Sequence, residues 1–258
     1  LSGAEGVNGL KVGLFGFGKA GRAVATVILN NKDFVLEWVI RNTKTLDHRS
    51  APEFLGIESS EPGLIYAKDE FNKIIQDPSM GVDAIIDFSS PESVYEYGEY
   101  VRKNGVAIVS AISNYGPTEL DYLREIGKST RVLCSPNITV GINFLIIASK
   151  VLKRIAPYAD IEIIEEHFKK KQEVSGTAKA ISRHLALDPG EIKTIRAGGI
   201  IGRHEILFGF PYQTVRLSHE SISREAFGNG ALFALDNIKG LPAGFYTMED
   251  VIKPFFTE

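Results

Sequence analysis

Short apolar runs recur along the first half of the chain with turn residues between them. LKVGLF (10–15), FVLEWVI (34–40), DAIIDF (83–88), VAIVS (106–110) and RVLC (131–134) are mostly apolar and show little polar alternation. That is the pattern of strands covered on both faces. A helix entered near Pro91 is read at 92–104 and an amphipathic one at 118–128, and another helix opens after the first run at AVATVILNN. Residues 45–69 are polar and mixed; they read as a long loop with a short strand near 64–66, before a short helix at 70–76. Strands alternating with helices predict a parallel, doubly wound sheet.

The pattern changes after Pro136-Asn137. A long apolar helix is predicted at 141–156, then a strand in which Ile161, Ile163 and Ile164 flank Glu162. Residues 192–219 read as three strands punctuated by Gly198-Gly199, Gly202 and Pro211. A helical run at 227–239 and a short helix at 249–255 close the chain. The expected fold class is therefore α/β. A parallel-sheet domain spans 1–136 with 227–258, and a smaller α+β domain with a mixed sheet spans 137–226.

Two stretches carry chemistry. Gly16-Phe17-Gly18-Lys19-Ala20-Gly21 is a G-x-G-x-x-G turn between the first strand and its helix. In that context the first glycine permits a tight turn, the second lets the backbone approach a pyrophosphate, and the third lets helix and strand pack closely. A turn that binds nothing is the alternative. Twenty residues beyond Gly21 the second strand ends at Arg41-Asn42-Thr43-Lys44. A site for NAD usually carries an acid there, and a cation would pair instead with a 2′-phosphate. NADPH is the expected cofactor, with NADH as the alternative. Because ligands sit at the carboxyl ends of such strands, Gly16, Arg41, Asn42, Phe88, Ser89, Ser110 and Ile112 should border one crevice.

The second stretch is EIIEEHFKKKQEVSGTA, 162–178. A strand runs out into His167 and three lysines (169–171), and Ser175-Gly176-Thr177 opens a helix. A proton donor, ammonium groups and a helix N-terminus then lie within a dozen residues, a place suited to a small dianion that must accept a proton. A solvated basic loop with an ordinary cap is the competing reading.

Composition narrows the classes. The 258 residues, 44% hydrophobic and 24% charged, describe an ordinary globular chain. A net charge of -3 gives no broad basic field for nucleic acid or a membrane surface. No apolar run reaches membrane-spanning length. The single cysteine, Cys134, makes no intramolecular disulfide and suits a reducing cytoplasm. Residues 1–9 are small and polar, lack a signal-peptide pattern, and read as a flexible leader. The five histidines show no paired i, i+4 spacing, so no metal is expected. His204 and His219, on strands, are expected to pack, and Asp87 to cap the turn after its strand.

The glycine loop, DFSSPES (87–93), Asn137 with Gly141-Ile142-Asn143, and the 162–178 stretch occur in a fixed order. Arg196-Ala197-Gly198, Gly202, His204 and Phe227 to Ala231 follow. Together they resemble the 4-hydroxy-tetrahydrodipicolinate reductase family of lysine and diaminopimelate synthesis. The resemblance implies a Rossmann domain, a substrate domain, a cytoplasmic homotetramer, and NAD(P)H-dependent reduction of a cyclic dicarboxylate. It also implies His167 as proton donor, Lys171 as catalytic and carboxylate-holding lysine, and Asn137, Ser175, Gly176 and Thr177 at the substrate. Departures from the pattern occur at Ser110-Ala111-Ile112-Ser113, Phe168, Glu173-Val174 and Gly199. They leave open a reductase of another cyclic imine or unsaturated acid, or a nucleotide-binding sensor without turnover.

Overall fold

The computed structural model describes residues 9–256, so the expectation for residues 1–8 lies outside the described residues. The elements run β1 (Leu10–Phe15), α1 (Lys19–Leu29), β2 (Phe34–Arg41), α2 (Ala51–Leu55), β3 (Leu64–Ala67), α3 (Phe71–Ile74) and β4 (Ala84–Asp87). Then come α4 (Ser93–Asn104), β5 (Ala107–Ser110), α5 (Pro117–Gly127), β6 (Arg131–Cys134), α6 (Val140–Ile155), β7 (Asp160–His167) and α7 (Gly176–His184). The last are β8 (Lys193–Arg196), β9 (Arg203–Phe210), β10 (Gln213–Glu220), α8 (Glu225–Ile238), β11 (Gly244–Tyr246) and α9 (Met248–Ile252).

The chain divides into two compact units, 1–138 with 227–251, and 139–226 with 252–258. In the first, seven parallel strands are ordered β11-β6-β5-β4-β1-β2-β3. Their order reverses at β1/β4, the point where doubly wound sheets bind ligands. The central strands are buried almost throughout, which explains their unbroken apolar runs. Phe15, Trp38, Phe71 and Tyr97 form the aromatic centre of this core, meeting edge to face at ring separations of 4.9–5.9 Å. Gly13 sits beneath Trp38, where a Cβ would lie 2.1 Å from the indole.

In the second unit the sheet order is β10-β9-β7-β8; β7 and β8 are parallel and the other pairs antiparallel. Its core is a cluster around Ile163, Ile206 and Phe208 of the sheet and Ile142, Ile146 and Ile181 of α6 and α7.

Several details differ from the sequence reading. Residues 137–138 fall with the first unit and 252–256 with the second, where the rings of Phe256 and Phe144 lie 5.4 Å apart. The polar loop contains α2, capped by the Ser50 hydroxyl accepting from the Glu53 amide and ended by Gly56 at φ 69. A seventh strand, β11, pairs with β6 although its three residues carry no strand pattern. The terminal helix is one α-helical segment at 248–252 followed by a 3-10 turn.

Candidate active site

In the first unit the three glycines of the turn have three separate reasons to be glycine. Gly16 has φ 95, and a Cβ there would lie 2.7 Å from the Phe88 carbonyl oxygen beyond β4. A Cβ on Gly21 would lie 1.9 Å from the Gly16 carbonyl oxygen, so helix and turn could not close. Gly18 faces open space: a Cβ there would meet nothing within 4 Å. Folding therefore demands the first and third glycines, while the second leaves backbone accessible to a ligand. The turn opens the N-terminus of α1, whose first turn carries no acid to compete with an anion.

A cavity of about 340 Å³ lies against this turn. Gly16, Phe17, Gly18, Arg41, Asn42, Phe88 and Ser89 all line it, as do Arg22, Thr43 and Lys68. Lys19 is exposed and Ala20 partly buried at the start of α1. The shape and donor set fit a dinucleotide: a glycine-rich turn, a helix N-terminus and guanidinium groups around one concavity.

The β4 and β5 tips are tied down by a buried network. Asp87 is fully buried and accepts from the Ser89 amide (2.9 Å), the Ser89 hydroxyl (2.5 Å) and the Tyr97 hydroxyl (2.8 Å). Burial pushes its carboxyl up to about 6, against these hydrogen bonds. The capping role expected for Asp87 is thus one part of a larger brace. Ser110 is also fully buried, its hydroxyl 2.9 Å from that of Tyr115 and its carbonyl accepting from Ser135. Its side chain is engaged inside the unit, and Ile112 beside it is buried. Asn137 is half-buried at the end of the first unit, its carbonyl accepting from the Ser135 hydroxyl.

The second unit gathers the remaining candidates at the end of β7. Glu165 and His167 are two apart on the strand and share a face. Glu165 is fully buried, with one oxygen against His167 Nδ1 and the other accepting from Arg196 Nη2 at 2.6 Å. Burial works against its charge, but the hydrogen bonds from Arg196 and His167 outweigh it and hold the carboxyl below the usual range. His167 thus presents its other nitrogen, Nε2, on the side of Gly202, where a Cβ would lie 3.1 Å away. Arg196 also donates to the carbonyls of Lys171 (3.0 Å) and Glu173 (2.9 Å), stitching the basic loop to β8.

Ser175 caps α7, its hydroxyl accepting from the Ala178 amide at 3.0 Å. The same oxygen is 2.9 Å from His204 Nε2. Burial, and then the positive potential of His167, pushes His204 down to about 4, so it is neutral near pH 7. Gly176, where a Cβ would have open space around it, and Thr177 form the first turn of α7. Lys171 is half-buried, whereas Lys169 and Lys170 are exposed.

Sequence reasoning did not assign Glu165, Arg196 or His204 these parts. The i, i+2 spacing of Glu165 and His167 was a signal for the first. Register supplies the others: Arg196 pairs with His167 across β8, and His204 with Glu165 across β9. His219, with burial lowering its pKa, packs on Gly141 of α6. Among the described residues Asp47, His48 and Glu70 bring ligand-type atoms within 4.8 Å, a grouping the histidine spacing did not anticipate. His48 there bridges both carboxylates at 3.4 and 3.8 Å.

Known proteins give this geometry its context. The family model for the dihydrodipicolinate reductase N-terminus matches residues 10–138, and that for its C-terminus matches 138–252. The chain belongs to the dihydrodipicolinate reductase family. The 4-hydroxy-tetrahydrodipicolinate reductase of Caldanaerobacter subterraneus subsp. tengcongensis is 30% identical, over 92% of this chain and 95% of that protein. That of Clostridium novyi is 32% identical, over 80% and 92%. The dipicolinate-bound dihydrodipicolinate reductase from Paenisporosarcina sp. TG-14 shares the fold, with TM-score 0.76 and 22% identity over 95% of this chain and 99% of that one. Within the family fold, the glycine turn and the His167 cluster belong to different units.

Proposed function

We propose that the protein reduces 4-hydroxy-tetrahydrodipicolinate to tetrahydrodipicolinate, with a reduced nicotinamide nucleotide, in lysine and diaminopimelate biosynthesis. Family membership supports the reaction. The observation that carries the assignment of roles is the Arg196–Glu165–His167 chain beside Lys171 and the Ser175-capped start of α7. The net change adds a hydride and a proton and releases the substrate hydroxyl as water. A bound reduced nicotinamide supplies the hydride.

The remaining roles fall to the chain's own groups. Glu165 accepts from Nδ1–H of His167, which fixes the ring and leaves Nε2 as the proton-donating atom. The lowered pKa of Glu165 keeps it an acceptor, so an imidazolium formed at His167 is balanced by a carboxylate. Lys171 supplies a point charge to one substrate carboxylate, and the amides at Gly176 and Thr177 face another at the start of α7. His204 orients the Ser175 hydroxyl in that turn. In the first unit the Gly16–Gly21 turn takes the pyrophosphate and Arg41 with Asn42 the adenosine end, which favours NADPH over NADH. Ser110 acts through Tyr115, as a brace for the β5 tip.

A cytoplasmic homotetramer, built through the second-unit sheet, completes the proposal. Its support is the edge position of β10, whose side chains are half-buried at most. The test is a coupled assay with freshly generated 4-hydroxy-tetrahydrodipicolinate and each cofactor, following loss of the reduced-nicotinamide absorbance. Cofactor binding without turnover on this substrate would refute the assignment.

A further inference from the structure

The adenosine end of the cavity carries a cation that the fingerprint does not explain. Arg22, on α1 one residue past the last glycine of the turn, lines the same cavity as Arg41, Asn42 and Thr43. Its guanidinium carbon lies 4.7 Å from the centre of the Phe54 ring and 5.5 Å from that of Phe17. The two rings themselves meet at 5.7 Å, and Arg22 Nε donates to the Phe17 carbonyl at 3.2 Å. The ring contacts and the Nε hydrogen bond restrain the guanidinium, and Nε is the one guanidinium nitrogen whose hydrogen bond they occupy.

The charges around the cavity are unequal in availability. Lys68 is paired with Glu96 at 3.0 Å, and Lys44 with Asp69 at 2.7 Å. Among the described residues neither Arg22 nor Arg41 has a carboxylate partner. Two unneutralised guanidiniums therefore face one concavity, and a phosphate monoester carries between one and a half and two negative charges near neutral pH.

We propose that Arg22, held by Phe54, is the second guanidinium of the 2′-phosphate subsite, so that preference for NADPH belongs to the Arg22–Arg41 pair. The proposal rests on reading the cavity as an NADPH site. Stacking matters because a guanidinium already immobilised on a ring loses little further freedom when it binds a phosphate. An exposed lysine at the same place would also have to give up its hydration.

The test is calorimetric titration of NADPH, NADH and adenosine 2′,5′-bisphosphate against the wild type, Arg22→Gln, Arg41→Gln and Phe54→Leu. In the wild type NADPH should bind more tightly than NADH. Arg22→Gln should weaken NADPH and the bisphosphate about 10- to 100-fold, with NADH changed less than about threefold. Phe54→Leu keeps the apolar cover while removing the π face, and should weaken the same two ligands by a smaller factor. Equal losses for NADPH and NADH would place Arg22 at the pyrophosphate and overturn the proposal. A wild type that discriminates while Arg22→Gln leaves the ratio unchanged would also overturn it, with the NADPH reading intact. A wild type that does not discriminate would defeat both.

Discussion

Replacing Glu165 by Gln tests the His167 assembly at its centre. The carboxylate has no solvent exposure and meets two donors, His167 Nδ1 and Arg196 Nη2. A glutamine side chain can offer its single oxygen to one of them only; the other then faces an NH₂ group. A hydrogen bond to a charged group contributes about 1.5–3 kcal/mol, and breaking a buried ion pair costs about 3–5 kcal/mol. Arg196 is 19% exposed and retains the carbonyls of Lys171, Glu173 and Ile195, so the lower range applies, about 2–3 kcal/mol. For a chain of this size that corresponds to a fall in Tm of about 5–10 °C. Turnover should fall about 10- to 100-fold, because His167 loses the acceptor that fixes its tautomer and stabilises its charged form. NADPH affinity should not change, since the glycine turn lies in the other unit.

The pH dependence follows from the direction of the shift. The folded Glu165 carboxyl is held below its unfolded value of about 4.3, so its stabilisation is complete above that pH. It disappears as the pH falls through the lower, folded value. The stability gap between wild type and Glu165→Gln, measured by urea unfolding, should be constant from about pH 5 upward and shrink on acidification below about pH 4. A variant with wild-type turnover and wild-type stability at pH 7 would refute the reasoning outright.

Other outcomes are equally specific. His167→Ala should lower kcat by about 10²- to 10⁴-fold while leaving NADPH affinity near the wild-type value; stopped-flow turnover and cofactor titration together check this, and equal loss of both would remove His167 from the proton-donor role. Gly16→Ala should destabilise the fold, because the new Cβ would meet the Phe88 carbonyl at 2.7 Å in a backbone at φ 95, whereas Gly18→Ala should keep the wild-type Tm and lose cofactor affinity. Similar melting curves for these two variants would contradict the roles given to the glycines. Asp87, with its folded pKa raised to about 6, binds a proton more tightly folded than unfolded, so its contribution is present below about pH 4 and declines as the pH rises through 6. Asp87→Asn should therefore gain about 1–3 kcal/mol on the wild type between pH 4.5 and 7.5, read from urea unfolding at both values; a flat difference would show that Asp87 does not titrate in that window.

The parallel sheet, the glycine turn and the family were legible in the order of residues alone. Strands covered on both faces must be apolar without interruption, and a strand–turn–helix that admits a pyrophosphate needs glycine where backbone atoms approach. Those demands act over a few residues and leave their mark in the order of the chain. Even α2 was marked, by Ser50, Pro52 and Gly56, although the polar residues around it obscured the signal. Tertiary structure alone decided β11, whose three residues become a strand because β6 offers an open edge. It alone brought Phe54 onto Arg22, thirty-two residues away in sequence. It also set the surroundings of His167. Arg196 and His204 reach that cluster because β8 and β9 pair with β7 in one register; a slip of one residue would turn each to the opposite face. Register is fixed by packing of the whole sheet against α6 and α7, a sum of distant contacts that no local run of residues encodes.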